Sequence, residues 1–331
     1  MTRSRVVPWW VMPRAFRCAC FVLTAALVLA AAPVAGPFDS ALESERLAQG
    51  KQVRTADPAK RGFKLSDFPR LIKLADNVYG FEGLHPAGMP TVSLFVVGAD
   101  GVLIADGQSS PEGTQQLLDA IARVTPKPVK WYIVASDHGD HTAGNSVLPK
   151  DITYIVTPAS KAAMARMKNA VVPPTAMTGD RQTINVGGIE VQAINAGRAH
   201  TGGDLLVYLP KQKILFMSEV YLNRVFPAMR SAYPTEWVSV LDKALKMDVT
   251  LFVPGHGFVE DAQAAREELV EYQQAMRYVI AEVQRLHKLG LSADDAAKQA
   301  NWGPYKDWYI AEGQGPIAVR KIYEEIEGKL K

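Results

Sequence analysis

Cysteine is almost absent from this 331-residue chain: there are two, Cys18 and Cys20, both close to the N-terminus. If that end is removed on export, what remains has no disulfide and no thiolate. Any bound metal must then be held by histidine and carboxylate. Histidine is scarce too, with six in the whole chain. Acidic residues are missing from positions 1–35, which carry Arg3, Arg5, Arg14 and Arg17. No apolar run reaches the roughly 20 residues of a membrane-spanning helix. The longest, from Cys18 to Ala32, is about 15 residues, the length of a secretory apolar region. No low-complexity tract or short-period repeat is present, and no glycine-rich phosphate loop accompanies the strand patterns, which argues against fibrous and nucleotide-dependent classes.

What is there begins with the N-terminus. Basic residues, the apolar run and the small residues Ala31-Ala32-Pro33-Val34-Ala35 form the three-part pattern of a secretory signal, with cleavage expected after Ala35. The competing reading is an uncleaved anchor. Neither cysteine sits in a lipoprotein-type pattern near the cleavage point. Cleavage leaves 33 basic against 34 acidic residues, so the basic excess belongs to the signal and does not point to nucleic acid. A periplasmic or secreted protein, with no stable membrane insertion after cleavage, is expected. Hydrophobic content of 48% with 21% charged residues places the rest among globular chains able to bury a sizeable core.

Residues 36–65 read as a polar leading arm. Residues 66–262 alternate short apolar strands with helical patterns in two similar halves. Strands are expected at Asn77 to Glu82, Thr91 to Gly98, Gly101 to Asp106, Val129 to Ala135 and Ile152 to Thr157, with helices at Pro111 to Val124 and Pro158 to Asn169. The second half repeats the programme with strands at Thr183 to Val186, Ile189 to Asn195, Asp204 to Leu209, Lys213 to Met217 and Val249 to Val253, and a helix at Thr235 to Met247. Two packed sheets with helices outside follow from that order. Residues 263–331 are a helical extension. It comprises an amphipathic helix at Ala264 to Leu289, a second capped by Ser292, an aromatic loop at Trp302 to Tyr309, and a last helix from about Ile317 to Leu330. The extension is read as a cap on the core; the sharper alternative is a homodimer surface or a lid whose aromatics reach the active site.

Four of the six histidines, His138, His141, His200 and His256, fall at strand-ending turns among glycine and aspartate. Loops at sheet ends can converge on one point. The run Ser136-Asp137-His138-Gly139-Asp140-His141, directly after an apolar strand, gathers two histidines and two aspartates in six residues. Such donors suit zinc, which takes three or four nitrogen and oxygen ligands and can keep a position open for water.

These segments resemble the metallo-β-lactamase-fold hydrolases. Ser136 to Asn145 is similar to the motif HxHxDHxGGN with serine for the first histidine. Gly197 to Asp204 resembles GxxHTxGD, Ile214 to Glu219 resembles LFxGD, Val253-Pro254-Gly255-His256-Gly257 resembles the VPGHG turn, and Gly101 to Gly107 resembles the strand whose aspartate supports the metal loop. The resemblance covers about residues 70 to 260. It implies an α/β fold, a four-layer αβ/βα sandwich with metal at one edge of the two sheets.

Carried over residue by residue, it implies one metal group of Asp140, His141 and His256, and a second of His138 and His200 with Ser136 where the third histidine belongs. Glu219 stands where the family has a bridging aspartate. Serine is a poor neutral ligand, so one tightly held Zn2+ with Glu219 and a weaker second ion are expected. Asp140 and Glu219 are the candidate catalytic carboxylates, Asp106 and Ser136 the residues behind the ligands, and His85 and Arg230 (with Arg224 nearby) the candidate substrate contacts. Zinc lowers the pKa of bound water toward about 7. The implied activity is hydrolysis of a small organic ester, lactone, amide, β-lactam or similar molecule, and the other reading is a metal- or partner-binding protein with a degenerate site.

Overall fold

The computed structural model describes residues 53–330; the expected signal and most of the leading arm lie outside them. The strands are β1 (Arg70–Ala75), β2 (Val78–Leu84), β3 (Pro90–Val97), β4 (Val102–Ala105), β5 (Val129–Ile133), β6 (Thr153–Ile155), β7 (Arg181–Val186), β8 (Ile189–Ile194), β9 (Leu206–Leu209), β10 (Ile214–Phe216) and β11 (Leu251–Val253). The helices are α1 (Pro111–Val124), the single turn α2 (Gly139–Thr142), α3 (Pro158–Met164), α4 (Pro234–Leu245), α5 (Ala262–Lys288), α6 (Ala293–Gln299) and α7 (Ala311–Ile326). One sheet has the order β1-β2-β3-β4-β5-β6 and the other β11-β10-β9-β8-β7. Consecutive strands pair antiparallel except where a helix intervenes, at β4–β5, β5–β6 and β10–β11, which are parallel. That exception follows from crossover length, since only a helix-sized connection returns the chain in the same direction.

Side-chain alternation along the strands builds three apolar layers. Leu94, Leu103 and Ile133 meet Val191, Val207 and Phe216 between the sheets. The opposite face of the first sheet, with Phe95, Ile104 and Tyr132, takes Leu117 and Ile121 of α1. Leu206 and Leu215 of the second sheet pack against Trp237 and Leu241 of α4 and against Leu269, Tyr272 and Met276 of α5. Helix, sheet, sheet and helix make the four layers. Among the described residues no helix is long and apolar enough to cross a membrane.

Helix starts follow their caps. Ser110 accepts a hydrogen bond from the Gly113 amide, Thr157 from Ser160, Asp261 from Ala264 and Ser292 from Asp295, each satisfying an orphan donor of the first turn. Three elements differ from expectation: the helix expected at Pro158 to Asn169 ends at Met164, and β1 and the last helix also depart. β1 is an edge strand carrying Arg70 and Lys73, half-buried and without a clean alternation, so no separate strand was legible there. The last helix begins at Ala311 rather than Ile317 and runs through Pro316. Proline normally ends such a pattern; here Ala318, Val319 and Ile322 are buried in the core beyond it, and that packing holds the helix together.

The extension is anchored inward. Trp308 stacks on Tyr272 and Trp302 meets Phe226 edge-on. Tyr309 exchanges backbone hydrogen bonds with the loop after β10: Phe226 N donates to Tyr309 O at 2.9 Å, and Tyr309 N to Arg224 O at 3.2 Å.

Candidate metal centre

Every strand end named by the sequence delivers its residue to one edge of the two sheets. After β5 the chain is held by Asp106, whose Oδ1 accepts from the Ala135 and Ser136 amides at 2.7 and 3.2 Å. His138 then precedes the single turn α2, which carries Asp140 and His141. After β10, the turn Ser218–Val220 presents Glu219, and Ser218 Oγ donates to Asp106 Oδ2. After β11, His256 is stitched between two neighbours: Val92 N donates to Gly255 O at 2.8 Å and Asn223 N to His256 O at 2.9 Å. Gly255 has to be glycine, because a Cβ there would overlap the Ser218 carbonyl.

The donors fall into two groups that share one carboxylate. Asp140, His141, Glu219 and His256 form the first; His138, His200 and Glu219 form the second. His141 Nε2 and His256 Nε2 face each other at 3.2 Å, and His200 Nε2 faces His138 Nδ1 at 3.0 Å. His256 Nε2 lies 2.9 Å from Asp140 Oδ2. Donors around a tetrahedral ion bonded at about 2.0–2.1 Å stand roughly 3.3 Å apart. The spacing therefore fits a metal in both groups.

Three of the four other ring nitrogens lie against polar neighbours, while His200 Nδ1 is buried without a hydrogen-bond partner. His256 Nδ1 is 3.2 Å from Pro90 O, His141 Nδ1 is 3.1 Å from Asp106 Oδ2, and His138 Nε2 is 3.1 Å from Ser231 Oγ. Asp106, expected behind the ligands, is fully buried there and reaches both His141 and the Glu219 turn.

Without an ion the groups neutralise one another. Burial alone would pull the histidines down, but the Glu219 carboxylate carries His138 up to about 9, and hydrogen bonds to Asp140 and Glu219 carry His256 up to about 10. Burial raises Glu219, and the His200 and His138 rings more than reverse it, holding the carboxylate well below its usual range. Asp140 is held low the same way, with burial and Glu219 opposed by His256 and His141. Three buried rings and the half-buried His138 around two carboxylates are a centre built for positive charge.

The centre forms the floor of a pocket of about 410 Å³. Met89, Leu222, Val225, Ala228 and Ile310 give it apolar walls, and Arg230 is exposed at its rim. Arg224 has turned away and pairs with buried Glu268. His85 overhangs the site from the β2–β3 loop, with Nε2 3.5 Å from Asp140 Oδ2. Burial, reinforced by the charge of His256, pushes His85 down to about 4. Its Nδ1 accepts from the Ala87 amide at 2.9 Å, so the neutral ring offers an Nε2 proton to the pocket.

Sequence reasoning did not find Ser231, nor Ile310 and Gln314 of the extension, all of which line the pocket. The only signal was the aromatic loop ahead of α7. Its Tyr309 hydroxyl donates to Ala87 O at 2.6 Å and so ties the extension to the His85 loop.

The family model for the metallo-beta-lactamase superfamily matches residues 86–256, half of the chain. The chain belongs to that superfamily, a family of metal-dependent hydrolases. It is 28% identical over 169 residues to the 2,4-dinitroanisole O-demethylase subunit alpha of Nocardioides sp. (strain JS1661), covering 50% of this chain and 52% of that one. With the metallo-beta-lactamase type 2 of Bacillus cereus it shares 23% over 230 residues, 67% and 86% of the two chains. Among solved structures, a stereoselective inverting sec-alkylsulfatase from Pseudomonas sp. superposes with a TM-score of 0.64 at 15% identity, over 86% of this chain and 54% of that one. The chain thus spans about half the length of the demethylase subunit and of the sulfatase.

Proposed function

We propose that this protein is an exported zinc-dependent hydrolase acting on a small organic molecule with an apolar body and an anionic group. The observation that carries the reading is the pair of donor groups sharing Glu219 at the floor of an apolar pocket with Arg230 at its rim. Asp140, His141, His256 and Glu219 would hold the tighter ion, and His138 and His200 with Glu219 the second. Zinc is favoured over harder cations because the donors are mostly imidazole. Bound there, it would supply a nucleophile from water at neutral pH and polarise the bond to be cleaved.

The chain's own residues do the rest. Asp140, about a fifth exposed (21%) on the pocket floor, is placed to accept a hydrogen bond from the attacking water and so orient it. The His85 Nε2–H is directed at the same pocket and can donate to a leaving group or a developing anion. Arg230 has no ion-pair partner among the described residues and would meet the anionic end of the substrate. Export is supported by the sequence pattern of residues 1–35. A homodimer through the C-terminal helices is supported by exposed Tyr278, Leu289 and Ile326.

Relatives that bear the names of a lactamase, an alkylsulfatase and an O-demethylase set the panel: β-lactams, alkyl sulfates, aryl methyl ethers, lactones and carboxylic esters. Chelator-sensitive turnover of at least one class is expected, falling at least about 10³-fold in Asp140→Ala and His256→Ala, as removal of groups acting as a unit does. A metal-loaded protein silent across the whole panel would favour a binding module instead.

A further inference from the structure

The two departures from the family motifs touch each other. Ser136 and Glu219 are both buried, and Ser136 Oγ donates to Glu219 Oε2 at 2.5 Å. The polarity of that bond is fixed, because the same hydroxyl oxygen accepts from the His138 amide at 3.3 Å and its own proton is left for the carboxylate. Building on the metal-dependent reading above, we propose that Ser136 and Glu219 act as one unit. The serine is a positioning residue that locks the glutamate as third donor to the His138–His200 group, so that this group holds a second metal ion without a third histidine.

Each carboxylate oxygen has a defined task. Oε2 takes the Ser136 hydrogen bond and lies 3.1 Å from His138 Nδ1. Oε1 lies 3.0 Å from His200 Nε2 and 3.5 Å from His256 Nε2, so it faces both groups at once. An aspartate at 219 is shorter by one carbon–carbon bond, roughly 1.5 Å, about half a donor-to-donor separation. A histidine ring at 136 would compete for the space the glutamate fills. Small at one position and long at the other is therefore a matched exchange.

Both ends of the unit are set by one group. Asp106 Oδ1 holds the Ser136 amide and Asp106 Oδ2 holds the Ser218 hydroxyl beside Glu219. The result is a donor set of two histidines and one glutamate with room for a further ligand, a combination that suits catalytic zinc. Ser136 contributes no ligand; it removes the freedom of the carboxylate that does.

The test is Co(II) titration of metal-free protein, followed by its visible absorption and by native mass spectrometry, on the full chain. The wild type is expected to take two equivalents. Ser136→Ala should keep the first within about threefold and weaken the second about 10- to 100-fold, the cost of losing a group that orients a ligand. Thermal melts of the metal-free proteins check folding. Glu219→Asp should lose the second equivalent, and Ser136→His combined with Glu219→Asp should regain it. A second equivalent as tight in Ser136→Ala as in wild type overturns the proposal. So does a wild type that binds one equivalent only, which leaves the metal-dependent reading standing; a wild type that binds none ends both.

Discussion

His138 and His256 hold protons well past neutrality in the metal-free protein, up to about 9 and about 10, because Glu219 and Asp140 face them. Their ordinary value is 6.5. A histidine raised on folding stabilises the fold fully below its unfolded pKa, and that contribution is lost as pH rises through the folded value. The metal-free protein should therefore lose stability between about pH 6.5 and 10, and metal must displace protons throughout that window. Zinc affinity should climb with pH from 6.5 to 9, by up to about tenfold per unit for each proton displaced. Competition against a chromophoric chelator at a series of pH values measures it, and a flat profile would contradict the charge assignment. At this scale the candidate ligands that the structure brings together were legible in the sequence because each is a histidine or acid at a strand-ending turn. Asp106 was legible as a residue behind the candidate ligands, but how it acts was not. Its part depends on a left-handed backbone (φ 60°) that turns the carboxylate back onto the 135–136 amides, and no residue pattern announces that.

At the scale of elements, the C-terminal extension is both cap and pocket wall. Tyr272, Trp302 and Trp308 bury its aromatics against the core, while Ile310 and Gln314 face the site. Ile310 has φ +60°, an unfavourable region for a β-branched residue, held by the flanking Tyr309 bridge and by α7. Strain of that kind at a pocket wall fits a positioning task. Tyr309→Phe removes the hydrogen bond to Ala87 and little else, so it should cost about 0.5–1.5 kcal/mol or less in stability. Amide exchange of residues 85–89 should quicken, and the affinity for substrates that reach His85 should fall. Unchanged exchange there would show that the extension does not restrain the loop. The strand and helix alternation was readable because each layer imposes its own period on the chain. The edge strand β1 and the first turns of α7 were not, because neighbours rather than local pattern hold them.

For the whole molecule, the two sheets meet so that loops far apart in the chain supply one centre, and Glu219 bridges both donor groups from a turn after β10. The fold was legible from five motifs in order; the contact between Ser136 and Glu219, 83 positions apart, was not, since nothing local ties the two substitutions together. An ion held by this centre binds the folded state alone, adding about 2.7 kcal/mol of stability at a free concentration of 100 times its dissociation constant. Chelation should lower the melting temperature and zinc should restore it. The most direct measurement is hydrolysis of the best panel substrate while metal-free protein is titrated with zinc. The account predicts no turnover at the start, then a rise that saturates at whole equivalents per chain. Turnover without zinc, or none at any zinc concentration across the whole panel, would contradict it.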